Sequence, residues 1–337
     1  MDLIQGSELM KEALLYEKND VRIIDVPIPT IGPTDILLKV KAAKICPTDV
    51  RKYTLGSNDT RIRSLPMNLC HEYAGEIVDV GEEVKHLKKG MRVTGYGMRG
   101  NAEYVKLDAD SSNSAIRGRI LELPPNVSYE EGAFTTPLSE CIHCVVDQVD
   151  VRFGETLVVV GVGHMGMMQS NIAHWCGATV IAVDLNDERL KLAKEFGADY
   201  TINASKEDVV ERVKELTDGK MANCSIAGIG SPPVIQSAID VTGHHGRIVL
   251  WGGAPTGTIM QFNPNDIHYA EKYLIGVEGI GVGSKRHPER RGQAVKHIAS
   301  GKIDVKKLIT KIMPMTEIVE AYEMIKKGEA ITVVITP

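Results

Sequence analysis

The chain has 337 residues, 43% hydrophobic and 25% charged, with a formal net charge of −5. That length suggests two domains, and the mild acidity gives no electrostatic footprint for nucleic acid or an anionic membrane. No run approaches the ~18 apolar residues of a membrane span, the acidic start from Met1 to Met10 does not read as a secretory signal, and six scattered cysteines make no disulfide framework, which points to a reducing, cytosolic compartment.

From about Lys11 to Leu107 the chain reads as short strands broken by proline and glycine. Ile36–Ala42, Gly75–Val80 and Met91–Thr94 are such strands, with turns at Pro27, Pro29, Gly32-Pro33, Gly81 and Gly90. This half carries Cys46-Pro47-Thr48-Asp49 and Cys70-His71-Glu72. Thiolate plus imidazole suits Zn²⁺, and three protein ligands with an open position mark a catalytic zinc. A Cys and a His this far apart serve equally well as packing residues, so the pair gains weight only in company with a second functional motif.

At Thr156 the texture changes. The apolar run Thr156–Val160 predicts a strand that ends in Gly161-Val162-Gly163-His164-Met165-Gly166, and a second strand, Val180–Asp184, stops on an acid. The first glycine allows the tight turn, the second lets backbone approach a pyrophosphate, and the third lets the following helix pack on the strand. Helix-start amides then face the phosphates. Asp184 stands where a carboxylate accepts hydrogen bonds from the ribose hydroxyls and repels a 2′-phosphate, which predicts NAD rather than NADP. Helices over Glu188–Phe196, Lys206–Leu216 and Pro233–Val241 alternate with strands near Tyr200–Ile202, Cys224–Ala227 and Arg247–Trp251, the pattern of a doubly wound parallel sheet. A last helix at Thr316–Lys326 and strand at Ile331–Ile335 read as a return to the first domain.

Taken together, these motifs resemble the zinc-dependent medium-chain dehydrogenases, and their polyol (sorbitol or L-iditol dehydrogenase-like) branch in particular. His71-Glu72-x-x-Gly75-x5-Gly81-x-x-Val84 matches the family's GHE signature with Cys70 in place of the leading Gly, and Cys46-Pro47-Thr48-Asp49 stands for Cys-Gly-Thr/Ser-Asp. The likeness continues through Asn101–Val105, Asn265–Tyr269 and Ser300–Asp304, so it covers nearly the whole chain. It implies an α/β protein: a GroES-like β-rich catalytic domain over 1–152, completed by 296–337, and a doubly wound parallel (Rossmann) NAD-binding domain over 153–295. It further implies reversible, zinc-assisted, NAD-dependent oxidation of a polyol, sugar or other secondary alcohol to the ketone, in a homodimer or homotetramer.

By this resemblance Cys46 and His71 would ligate zinc, and Asp49 would orient His71. Glu72 would be either a ligand or a carboxylate just behind the metal. Thr48 would hydrogen-bond the alcohol oxygen and pass its proton towards the nicotinamide ribose. Gly161, Gly163, His164, Met165, Gly166, Asp184, Arg189, Ala227, Gly228, Gly252, Val277 and Glu278 would contact the cofactor.

Three departures bear on mechanism. Polyol relatives usually carry a Glu immediately before Pro-Leu, where this chain has Thr136. Glu140, one turn along the helix that Pro137 should start, would then complete a Cys46, His71, Glu140 set, with Glu72 as substitute. Arg51 replaces the histidine that often ends a proton relay, and an arginine cannot act as a base; it is read as a solvated charge or a phosphate contact. Gly95–Gly100 runs straight into Asn101–Tyr104, leaving no room for a four-cysteine lobe, so one catalytic zinc and no structural zinc are expected. Cys141 and Cys144 read as packing cysteines, and His143 as a packed or cofactor-side residue. Pocket walls are expected from Tyr53–Asn68 and the loop Gly279–His287, with Arg61, Arg63, Lys285 and Arg286 as solvated charges or anion contacts. Two other readings stand beside the dehydrogenase: a redox-neutral epimerase or lyase using bound NAD for transient oxidation, and a NAD-binding protein whose metal site has decayed.

Overall fold

A computed structural model of the chain describes residues 8–109, 119–255, 257–279 and 287–337. The elements, in chain order, begin with β1 (Leu9–Glu17), β2 (Asp20–Pro27), β3 (Asp35–Lys44), α1 (Pro47–Leu55), β4 (Glu72–Val80), β5 (Arg92–Tyr96), β6 (Tyr104–Asp108) and β7 (Leu121–Glu122). Two short helices follow, α2 (Tyr129–Gly132) and α3 (Thr135–Ile142), the second continuing as a π-helix over His143–Gln148. Next come β8 (Thr156–Val160), α4 (His164–Trp175), β9 (Thr179–Asp184), α5 (Asp187–Glu195), β10 (Tyr200–Asn203), α6 (Val209–Leu216), β11 (Ala222–Ala227), α7 (Pro232–Asp240) and β12 (Thr242–Leu250). The chain closes with α8 (Asn265–His268), β13 (Tyr273–Gly276), α9 (His287–Ala299), β14 (Lys311–Pro314), α10 (Ile318–Lys326) and β15 (Val333–Thr336).

Two compact units divide the chain at 139/140 and again at 280/281, rather than at the expected 152/153 and 295/296. The first break falls within α3, because the π-helical turn that follows it packs on α4 and so belongs with the second unit.

In the first unit, strands run in the order β14-β15-β3-β4-β5-β7, with β6 also pairing with β3. The C-terminal β15 pairs antiparallel with β3, so the chain's end completes this sheet. Ile36, Leu38, Val40, Tyr73, Ile77, Val93, Val105, Tyr322 and Ile335 form its core. The register of β3 on β4 shifts between Val40 and Ala42. This bulge bends the strand and reverses the alternation of faces beyond it.

The second unit is a six-stranded, all-parallel sheet in the order β10-β9-β8-β11-β12-β13. Numbered from β8, this is the doubly wound order 3-2-1-4-5-6, whose strand order reverses between β8 and β11. The strands read as continuous apolar runs because helices cover both faces; Leu157, Val158, Val159, Val180, Ile181 and Ala182 are all fully buried. Helix α6 begins at Val209, later than the expected Lys206, because the Asp208 carboxylate accepts from the Val210 and Glu211 amides and caps it there. Among the described residues no helix is long and apolar enough to cross a membrane.

Candidate active site

Cys46 leaves the end of β3 as the residue before α1, and His71 lies immediately before β4. Because β3 and β4 are antiparallel neighbours paired through Ala43 and Tyr73, the end of one strand and the start of the other meet at the same edge. Two residues distant in sequence thereby become neighbours. Cys46, His71 and Glu72 each offer a ligand atom, and these atoms lie within 4.8 Å of one another. Pro47 starts α1 with the fixed φ that suits a first helical position. Asp49, in that first turn, accepts the Cys46 amide on Oδ2 at 3.2 Å.

The other oxygen of Asp49 identifies its partner. Oδ1 is buried without a hydrogen bond and lies 3.6 Å from His71 Nδ1. A buried carboxylate oxygen stays unsatisfied only at a cost, and a small shift would bring it into bonding range. That leaves Nε2, 3.8 Å from Glu72 Oε1, facing the cluster. Burial opposes a charge on His71, yet Asp49 and Cys46 outweigh it and lift the imidazole well above the usual histidine range. Burial, reinforced by Glu72, raises the Cys46 thiol. A sulfur, nitrogen and oxygen donor set of this kind fits zinc. The Cys46 thiol also donates to the Thr48 hydroxyl at 3.4 Å, which holds that hydroxyl at the cluster's edge.

One member was invisible in the sequence. Lys44 is wholly buried, and its ammonium donates to Glu72 Oε2 at 2.5 Å. Ala42 pairs with Ala74 and Ala43 with Tyr73, so one further step brings Lys44 opposite Glu72. The Phe134 ring, 5.5 Å from the ammonium, helps to cover the pair. Burial works against the Lys44 charge, but Glu72, Cys46 and Asp49 outweigh it and hold its pKa above the ordinary lysine value. The bulge after Val40 prevents simple alternation from showing that Lys44 turns inward while Lys39 and Lys41 remain partly exposed.

The remaining expected residues are distributed over both units. Glu140 falls in the second unit, where its carboxylate crowds Gly279: a Cβ built there would lie 2.5 Å from Glu140 Oε1. Within the first unit, Glu72 is the carboxylate that offers a ligand atom beside those of Cys46 and His71. Arg51 is not a free solvated charge, because one edge of its guanidinium, Nε and Nη2, donates to the buried Asp59 carboxylate at 2.8 and 3.0 Å. Tyr53, expected in a pocket wall, is buried in the core and stacks on Tyr322 with ring centroids 5.0 Å apart. Arg61 and Arg63 are exposed, and Lys285 and Arg286 lie outside the described residues. Cys141 and Cys144 are buried, and His143 bonds Asp147 at 2.9 Å.

In the second unit, the glycine turn follows β8. Gly161 has φ +97°, a conformation that needs no Cβ, and a Cβ on Gly166 would stand 2.3 Å from the Gly161 carbonyl oxygen. Helix α4 starts at His164 with Gly163 before it and no side-chain cap, so its first amides are available to an anion. Asp184 ends β9; its Oδ2 accepts the Val162 amide at 2.9 Å and its Oδ1 the Leu185 amide at 2.8 Å. Gly228 follows β11, and a Cβ there would meet the Gly161 carbonyl oxygen at 2.8 Å. Ala227 ends β11, Gly252 follows β12, and buried Val277 and exposed Glu278 follow β13, all at the carboxyl ends of the strands. Buried His164 and half-buried Met165 open α4, while Arg189 lies in the first turn of α5.

A nucleotide-type parallel sheet with a glycine turn in one unit, and a thiol–imidazole–carboxylate cluster in the other, define a metal-assisted, nucleotide-dependent oxidoreductase. Residues 32–138 match the family model described as "Alcohol dehydrogenase GroES-like domain", and residues 161–300 match "Zinc-binding dehydrogenase". Rat sorbitol dehydrogenase is 30% identical over 96% of this chain and 94% of its own, and sorbitol dehydrogenase 2 of Saccharomyces cerevisiae 33% over 94% and 95%. The solved structure of Bacillus subtilis 2R,3R-butanediol dehydrogenase has a TM-score of 0.84 at 26% identity, covering 97% of this chain and 99% of its own. A Sinorhizobium meliloti protein solved with NADP has a TM-score of 0.85 at 25% identity, covering 98% and 100%. The chain belongs to the zinc-dependent medium-chain dehydrogenase superfamily, in its polyol branch, and is a dehydrogenase of the alcohol and polyol class. Its cofactors are a nicotinamide dinucleotide and zinc.

Proposed function

We propose that the protein oxidises a polyol or vicinal diol to the ketone with NAD, using one zinc held by Cys46, His71 and Glu72. The observation that carries this reading is the approach of those three ligand atoms to within 4.8 Å, backed by an orphan Asp49 oxygen aimed at His71. When bound, zinc supplies a Lewis acid that lowers the pKa of the substrate hydroxyl towards neutrality. Asp49, on closing its 3.6 Å approach to Nδ1, would fix the His71 tautomer so that Nε2 presents its lone pair. Thr48 would accept a hydrogen bond from the substrate hydroxyl and, on taking its proton, release its own hydroxyl proton outward, while a bound nicotinamide would supply the hydride acceptor. Arg51, tied to Asp59, takes no part in the proton's exit.

Gly161, Gly163, His164, Met165 and Gly166 would cradle the pyrophosphate, and Ala227, Gly228, Gly252, Val277 and Glu278 would line the strand ends. Arg189 would approach the adenosine. The NAD preference rests on Asp184, whose carboxylate is anchored by backbone amides and would meet a 2′-phosphate with like charge.

The test combines zinc analysis of the purified protein with rates on a panel of polyols and diols at alkaline pH, using NAD and NADP. The expected result is one zinc per chain, lost in Cys46→Ser, and NAD-dependent turnover. Asp184→Ser should move the NAD/NADP ratio of kcat/KM towards NADP by roughly tenfold, a change of about 1.4 kcal/mol. A wild-type protein that holds no zinc, or that prefers NADP, would refute the corresponding part.

A further inference from the structure

Glu72 divides its two oxygens. Oε2 binds the Lys44 ammonium at 2.5 Å, while Oε1 faces His71 Nε2 at 3.8 Å. Both side chains are essentially sealed from water, at 0% and 2% exposure. An ammonium in such a place cannot be screened by solvent, so its field acts on every charge nearby. The nearest of these is the Glu72 carboxylate, itself a member of the ligand cluster. A divalent ion among Cys46, His71 and Glu72 would therefore enter beside a fixed positive charge that already holds half of one ligand's carboxylate.

From this geometry we infer that Lys44 is a positioning residue, a built-in counter-cation that holds the ligand cluster together without metal and competes with the metal for Glu72. The inference rests on reading Cys46, His71 and Glu72 as the metal ligands. Its two consequences have opposite signs. Without metal, Lys44 stabilises the protein, since removing one partner of a buried pair leaves the other uncompensated. With metal, Lys44 weakens binding, since like charges repel and Glu72 can offer only Oε1. The site should then exchange its ion more readily than a site lacking such a cation.

The experiment measures zinc affinity by competition with a chromophoric chelator at one fixed pH, in the wild type, Lys44→Gln and Lys44→Arg. Glutamine keeps a hydrogen-bond donor towards Glu72 and removes the charge, whereas arginine keeps the charge. The expected outcome is zinc binding tighter by about tenfold or more in Lys44→Gln, because the repulsion between two neighbouring cations is removed. Lys44→Arg should remain near wild type, and the gain in Tm on adding zinc should be larger for the glutamine variant. Unchanged or weaker zinc binding in Lys44→Gln overturns the inference while leaving the ligand assignment standing. If that variant folds only when loaded, its zinc release to excess chelator should be slower than wild type, and equal or faster release overturns the inference equally. A wild-type protein that binds no zinc removes the ligand assignment, and this inference with it.

Discussion

The two candidate sites of this protein are made of different materials. In the parallel-sheet unit the site is main chain: a glycine at positive φ, another that admits no Cβ, uncapped helix amides and one carboxylate anchored by backbone. In the β-rich unit it is side chain, a cluster of Cys46, His71, Glu72, Asp49 and Lys44 whose charges oppose and partly cancel. A backbone site is sensitive first to volume, and its dependence on charge is confined to the single carboxylate of Asp184. A side-chain site with buried charges is the reverse, since each group's state depends on its neighbours.

Substitutions that change only volume or only charge can break this contrast. The largest effect is expected for Gly166→Ala, because the new methyl would lie 2.3 Å from a backbone carbonyl oxygen that cannot swing aside. Overpacking of that kind should cost about 3 kcal/mol of stability. Dinucleotide affinity, measured by fluorescence titration, should fall with it while zinc content stays intact. A variant that binds NAD normally would show that the turn yields, and that the backbone account is too rigid.

Asp49→Asn changes charge at nearly constant volume. It should weaken zinc binding by about 10–100-fold, as loss of a partner that orients a metal-bound histidine does. Dinucleotide binding should be unaffected. If chelator competition finds zinc affinity unaltered, Asp49 is only a helix-end residue, and the unpaired Oδ1 needs another explanation.

The smallest expected effect comes from a titratable group of the same unit, on α9. Burial, with Lys302 nearby, pushes the pKa of His297 down to about 4 from 6.5. Above the unfolded value the imidazole is neutral in both states and contributes no slope. Between that value and about 4, the unfolded chain binds a proton that the native chain refuses, so stability falls as the pH drops. Partial exposure keeps the effect below about 1 kcal/mol. Tm measured from pH 7 to pH 4 should therefore decline less in His297→Gln than in the wild type. Parallel declines would mean that this histidine titrates normally.

The nucleotide half was largely readable from residue order. Gly161, Gly163, Gly166 and the acid that ends β9 lie within one β-α-β unit, where local chain geometry alone relates them. The ligand half was readable as a set of residue types, but not as a set of neighbours. Sequence spacing favoured Glu140 as third ligand because it sits one turn beyond Thr136; the structure places that carboxylate against Gly279. Arg51 gave no sign that Asp59 would clamp it.

What residue order determined by itself was the alternation of strands and helices, the glycine turn with its acid, and the chemical types that could hold a metal. Each of these depends on contacts a few residues apart, or on backbone preferences that any neighbour would leave intact. Only the tertiary structure placed the Glu72 carboxylate beside Cys46 and His71, with a lysine behind it. Those facts follow from the pairing of β3 with β4 and the bulge after Val40, which set Lys44 opposite Glu72. A buried charge is stable only with its partner, and strand register chooses the partner.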